Sequence, residues 1–277
     1  MRLRVISWTA LVTLLFAWGL LLAQKNPSQE PPRPFKEYRA AEYNDFPLPP
    51  DYQNKTEWTR ARLHYSSTRY RRGGGDLNWT IDYPRSDRHL LEGVRRLTRI
   101  DTRSVEQVVD LDGEDDVYNW PMLYAVEVGY WRLSDSEAAQ LREFIQRGGF
   151  LMVDDFHSTY EWAGFMDSMT KVFPDREVED LPNDDPIFHT IYDLGERFQV
   201  PGAQYLYSGR TYEKNEQGRP EHWRCIRDDQ KRVIVAICHN MDLGDAWEWS
   251  DDPRYDEKFA SLAYRIGMNY FIYDLSH

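Results

Sequence analysis

The chain has 277 residues, with 34 Lys and Arg against 46 Asp and Glu, for a formal net charge of −12. That balance excludes generic nucleic-acid binding, which needs a basic face, and an aromatic content of 14% excludes an acidic disordered protein. Two Cys exclude a disulfide scaffold and a four-cysteine zinc site, and the length suffices to bury a core without either.

Arg2 and Arg4 precede an apolar run over residues 5–23. This is the order of a secretory signal, and the run also reaches the lower limit for spanning a bilayer. Residues 1–23 therefore read as a signal peptide or an N-terminal membrane anchor. Either outcome places the rest of the chain outside the cytoplasm, in the periplasm or another extracytoplasmic space. Residues 24–50 hold seven Pro and read as a Pro-rich linker, leaving 51–277 as a single α/β domain. Without Arg2 and Arg4 the charge is −14, from 32 basic and 46 acidic side chains. Such a surface repels anionic headgroups, so membrane contact is expected through the N-terminal segment alone.

Residues 58–65 alternate Trp58, Arg60, Arg62, His64 with Thr59, Ala61, Leu63, Tyr65, the pattern of a strand with one wet face. Gly73, Gly74 and Gly75 predict a mobile or sharply turned loop, better suited to a lid than to a phosphate cradle. Ser86 or Asp87 is placed to cap a helix running to Leu97, with Leu90, Leu91, Val94 and Leu97 on one face. Strands follow at 107–111 and 122–128. Ser134 and Glu137 form a capping box for a helix that ends at Gly148 and Gly149. Next come a strand at 150–153, a helix at 160–172 and a strand-like stretch at 205–212. A hairpin over 223–227 and 232–238 and an amphipathic helix over 256–273 complete the chain. Strands alternating with helices predict a mostly parallel sheet flanked by helices, with a hairpin late in the chain. The hairpin puts Cys225 opposite a residue near Ile234, away from Cys238, so two buried thiols are expected instead of a disulfide.

Polar residues gather where strands end: Asp82 after the first, Asp154, Asp155 and His157 after the 150–153 strand, and His239, Asn240, Asp242 and Asp245 after the hairpin. In open parallel sheets ligands bind beyond the carboxyl ends of strands, so these groups are candidates for one crevice, which His189 could join. Three readings stay open. The groups are a hydrogen-bonded loop network with the acids as caps, a polar ligand pocket, or a metal site using Asp154, Asp155, His157 and His239. No cofactor is demanded by the pattern, and a divalent metal is the one it admits. Aromatics nearby, Trp247 among them, suit a carbohydrate-like ligand. No GxSxG or GxCxG elbow is present, so Ser or Cys nucleophilic catalysis has no support.

The stretches NWTIDYPRSDRHL, LREFIQRGGFLMVDDFH, EDLPNDDPIFHTIYDL, GRTYE and HNMDLGDAWEW, with the closing YRIGMNYFIYDLSH, resemble the bacterial family called domain of unknown function 4159. The resemblance covers about residues 55–277. It implies a flavodoxin-like, class I glutamine amidotransferase-like fold. Members occur as exported single-domain proteins and within larger membrane proteins related to an aerotolerance operon, which implies an envelope or membrane protein complex as partner. Amidotransferases carry a catalytic Cys on the elbow after a central strand, where this chain has Asp154, Asp155, Phe156 and His157, so amidase chemistry does not transfer. The functions left are polar-ligand or partner binding at the strand ends, metal-dependent hydrolysis of a carbohydrate or other envelope substrate, and a structural role in an envelope complex.

Overall fold

The computed structural model describes residues 31–40, 42–43, 46–67 and 77–276. The signal or anchor at 1–23 and the loop of Gly73 to Gly75 lie outside these residues. The chain divides into Met1–Pro32, of which Pro31 and Pro32 are described, and Arg33–His277, which carries the sheet and its helices.

A seven-stranded sheet runs in the order β2-β1-β3-β4-β7-β6-β5. Its strands are β1 (Ala61–His64), β2 (Gln107–Asp110), β3 (Met122–Val126), β4 (Phe150–Phe156), β5 (Glu179–Asp180), β6 (His222–Arg227) and β7 (Val233–His239). From β2 to β7 the five neighbouring strands are parallel, and β6 runs antiparallel to both β7 and β5. This is a mostly parallel α/β fold with the expected late hairpin, consistent with a flavodoxin-like architecture. Helices α2 (Asp135–Gln146) and α3 (Ser158–Val172) cover one face, and α1 (Arg85–Leu97), α5 (Leu243–Glu248) and α6 (Glu257–Ser276) cover the other. Period-two alternation sends Leu123, Leu151 and Val153 into the first layer and Tyr124, Phe150 and Met152 into the second. Both faces are buried, which is why β3 and β4 read as nearly continuous apolar runs.

The capping box of α2 is present, with the Glu137 amide donating to Ser134 Oγ at 3.2 Å and the Ser134 amide to Glu137 Oε2 at 2.7 Å. Both thiols are free and buried, and Cys225 pairs with Ala236 in the hairpin, two residues beyond the expected partner. Among the described residues no helix is long and apolar enough to cross a membrane.

Three expectations are corrected. The face of β1 that carries Arg60 and Arg62 is not wet: both are buried, with Asp87 2.8 Å from Arg62 and 2.9 Å from Arg60, and only His64 at the strand's end is partly exposed. Neither Ser86 nor Asp87 caps α1, because the helix begins at Arg85, ahead of both, and the Asp87 carboxylate is taken by two guanidiniums. The stretch at 205–212 pairs with no strand. It opens with the one-turn helix α4 (Tyr205–Ser208), closed by Gly209 at φ 67°.

Residues ahead of β1 run along the body. Ala40 is buried, the Arg33 amide donates to Asp116 Oδ1 at 2.8 Å, and Arg88 Nη1 donates to the Pro47 carbonyl at 2.8 Å.

Candidate functional site

From β1 the chain goes to β2 on one side and β3 on the other, which opens a crevice at the strand ends. Asp82 follows β1, Glu127 follows β3, Asp155 lies in β4, and Asp242, Asp245 and Glu248 follow β7 on and around α5. These six acids line one cavity of about 420 Å³, joined by Glu42 and Tyr43 from the segment ahead of β1, by Glu213 and Lys214, and by Trp249.

Local backbone conformation aims several of these side chains. Asp82 (φ 61°), Glu127 (φ 51°), Asp155 (φ 49°) and Lys214 (φ 57°) all adopt the left-handed region that side chains disfavour. Such departures concentrate at binding sites, where surrounding structure enforces them. For Asp155 the enforcement is visible. Between Val153 and Phe156 strand β4 holds one more residue than its partner β7, and this bulge lets consecutive Asp154 and Asp155 take different environments. For Asp82 it comes from below, where Arg62 Nη1 donates to the carbonyls of Trp79 and Ile81, each at 3.0 Å.

Asp82, Asp155 and Asp242 are 1%, 6% and 2% exposed, and one carboxylate oxygen from each lies within 4.8 Å of the others. Burial is the first cause that lifts all three well above the usual carboxylate range. The charges of Asp245, Glu248 and Glu42 add to it at Asp82, that of Glu127 at Asp155, and that of Asp245 at Asp242. Burial, with Asp245 adding to it, likewise pushes Glu248 up to about 9. Among the described residues that line the cavity, Lys214 is the only cation, and its Nζ is engaged 3.3 Å from Glu161 Oε1. Asp82 Oδ2 is buried without a hydrogen-bond partner.

Two glycines let these oxygens crowd together. A Cβ on Gly202 would stand 2.6 Å from Asp242 Oδ2, 2.7 Å from Asp245 Oδ2 and 2.8 Å from Gln204 Oε1, and one on Gly244 would stand 2.3 Å from Asp82 Oδ2. A buried group of carboxylates whose described lining offers only this one engaged cation fits a hard, oxygen-preferring divalent ion such as Mg²⁺, Mn²⁺ or Ca²⁺.

Of the residues singled out from the sequence, Asp82, Asp155, Asp242 and Asp245 meet at this cavity. Asp154 lies beneath it. Its Oδ2 accepts from the amides of Leu243 (2.8 Å) and Gly244 (3.0 Å) and from the Tyr124 hydroxyl (3.0 Å), so it anchors the start of α5. Burial still pushes its carboxyl up to about 7. Trp247 is fully enclosed, tilted against Tyr124 at 5.7 Å, and faces no ligand space. His157 stands behind Asp155, with Nε2 3.2 Å from Asp155 Oδ1, and burial lowers its pKa.

His239 is held between the rings of Phe156, Trp162 and His222, and its Nε2 is 3.1 Å from the Ser158 carbonyl. Burial depresses it to about 3. Asn240 clasps two loops, accepting from the Ser158 amide at 2.8 Å and donating to the Pro220 carbonyl at 2.8 Å. His189 contacts Asp193 at 2.9 Å and the Asn183 carbonyl at 2.9 Å, and does not line the cavity. Of Asp154, Asp155, His157 and His239, only Asp155 belongs to the carboxylate group that comes within 4.8 Å, together with Asp82 and Asp242.

Glu42, Glu127, Glu213, Lys214 and Glu248 were not singled out by sequence reasoning. A signal existed for Glu248: Asp242, Asp245 and Glu248 recur every three residues, which on a helix places them along one side. The others come from separate segments, with no local pattern to join them.

Residues 60–275 match the family described as Domain of unknown function (DUF4159). Among curated proteins nothing matches the chain.

Proposed function

We propose, for a chain that belongs to the domain of unknown function 4159 family, that its strand-end crevice binds a divalent cation through Asp82, Asp155 and Asp242, and through that cation a polar ligand. One observation carries the reading: three buried carboxylates converge within 4.8 Å, and one of them, Asp82, keeps an oxygen with no hydrogen-bond partner. Trp249 beside the cavity supplies an aromatic wall of the kind that suits a carbohydrate-like ligand. The test is thermal unfolding of chelator-treated protein with Mg²⁺, Mn²⁺ or Ca²⁺ added. A ligand at 100 times its Kd stabilises by about 2.7 kcal/mol, so a clear rise in Tm is expected, and an unchanged Tm with all three ions would overturn the reading.

The Asp155–His157 contact favours a second reading, metal-dependent hydrolysis of a carbohydrate or other envelope substrate, because a carboxylate–imidazole pair beside a metal can move protons. Cation-dependent turnover of an envelope glycan that disappears in His157→Ala would support it, and turnover unaffected by that substitution would count against it. The apolar run at 5–23 supports placing the crevice outside the cytoplasm, against partners in an envelope complex; cell fractionation tests the first, and co-purification from membranes the second.

A further inference from the structure

We infer that the crevice takes two divalent cations, the second held by Glu42, Asp82 and Glu248, with Asp82 shared between the two. This rests on the cation reading above and extends it. One carboxylate oxygen each from Glu42, Asp82 and Glu248 lies within 4.8 Å of the others, the same closeness that defines the Asp82, Asp155 and Asp242 set. Asp82 belongs to both groups, and a carboxylate offers two oxygens, so it is the natural bridging ligand. Its Oδ2 is buried without a hydrogen-bond partner, and an orphaned buried oxygen of this kind calls for an ion or other ligand to satisfy it.

Charge points the same way. The two sets together hold five carboxylates, and the cavity's one cationic side chain among the described residues, Lys214, is engaged by Glu161. Ionised as ligands, the five carboxylates would carry five charges, of which one divalent ion offsets two and two ions offset four. The second set also has support of its own. Glu248 is 1% exposed, and its Oε1 accepts from the Tyr43 hydroxyl, which fixes the carboxylate and ties it to the segment that carries Glu42. Glu42 is exposed and arrives from ahead of β1, so the second ion would link that segment to α5 across the crevice.

The experiment is Mn²⁺ titration of the full chain after chelator treatment, read by bound-metal stoichiometry and by electron paramagnetic resonance. Two Mn²⁺ per chain are expected, with a broadened, coupled spectrum, since paired metals stand roughly 3.5–4 Å apart. Glu42→Gln, an exposed change that leaves the core intact, is expected to reduce the count from two to one and to restore an isolated-ion spectrum. Glu248→Gln is expected to do the same, while Asp155→Asn should leave the coupled spectrum absent through loss of the other ion. One Mn²⁺ per chain in the unaltered protein would overturn the second site and leave the single-cation reading standing. Two ions with no effect of Glu42→Gln would place the second ion elsewhere and overturn it too. No bound Mn²⁺ at all would overturn both readings.

Discussion

Replacing Asp82 by Asn should stabilise the cation-free protein and abolish its response to cations. The side chain is 1% exposed, and its carboxylate lies within 4.8 Å of those of Asp155 and Asp242. Two unit charges at that separation repel by about 3.5 kcal/mol at an effective dielectric constant of ~20. The acids escape part of this by holding protons, as their raised pKa values indicate, so the recoverable amount is smaller, about 2 kcal/mol. Asn tolerates the left-handed conformation at φ 61°, and the backbone carbonyl that accepts from the Ser86 amide at 2.9 Å is unchanged. For a domain of this size the gain corresponds to a Tm increase of roughly 4–8 °C. Urea and thermal unfolding in chelator, repeated with excess Mn²⁺, measure both effects. A D82N protein that is less stable in chelator, or one that Mn²⁺ stabilises as fully as the original, would refute this.

Asp87→Ala should destabilise by about 3–5 kcal/mol, because it strands the buried guanidiniums of Arg60 and Arg62; denaturant midpoints check this, and a loss under about 1 kcal/mol would contradict it. The same change should weaken Mn²⁺ binding, since Arg62 holds the carbonyls just before Asp82. Lys214→Met should tighten cation binding by about three- to tenfold, because it removes a positive charge from the crevice wall; calorimetric titration reads the change. Burial alone pushes Asp274 up to about 7. A carboxyl raised in the folded state leaves stability intact below its unfolded pKa near 4 and diminishes it as pH rises towards 7. Asp274→Asn should therefore match the original at pH 4 and exceed it above pH 7, by at most about 4 kcal/mol. Unfolding curves across pH 4–8 that stay parallel would refute that assignment.

The order of strands and helices was legible because parallel strands buried on both faces read as apolar runs and because Ser134 and Glu137 mark a helix start by their spacing. The alternation around Arg60 and Arg62 misled, because period two reports two different environments and not necessarily a wet one. Those environments are an apolar layer and a buried ion pair with Asp87, whose partner lies 25 residues away. At the site, acids at a strand end or in the segment beyond it were recoverable by the strand-end rule, as Asp82, Asp155, Asp242 and Asp245 illustrate. The rule does not say which polar residue faces the crevice. Asp154 and Asp155 are adjacent, yet a bulge turns one to anchor α5 and the other to the cavity. His239 looked like a ligand and is instead packed among aromatic rings. Glu42 and Glu213 reach the crevice from segments distant in sequence, a convergence that only tertiary structure creates.

Anomalous diffraction from crystals grown with Mn²⁺ tests the central claim most directly. The account predicts a peak within coordination distance, roughly 2.0–2.6 Å, of oxygens from Asp82, Asp155 and Asp242. A fully occupied Mn²⁺ elsewhere with that crevice empty, or no peak at all, would contradict it.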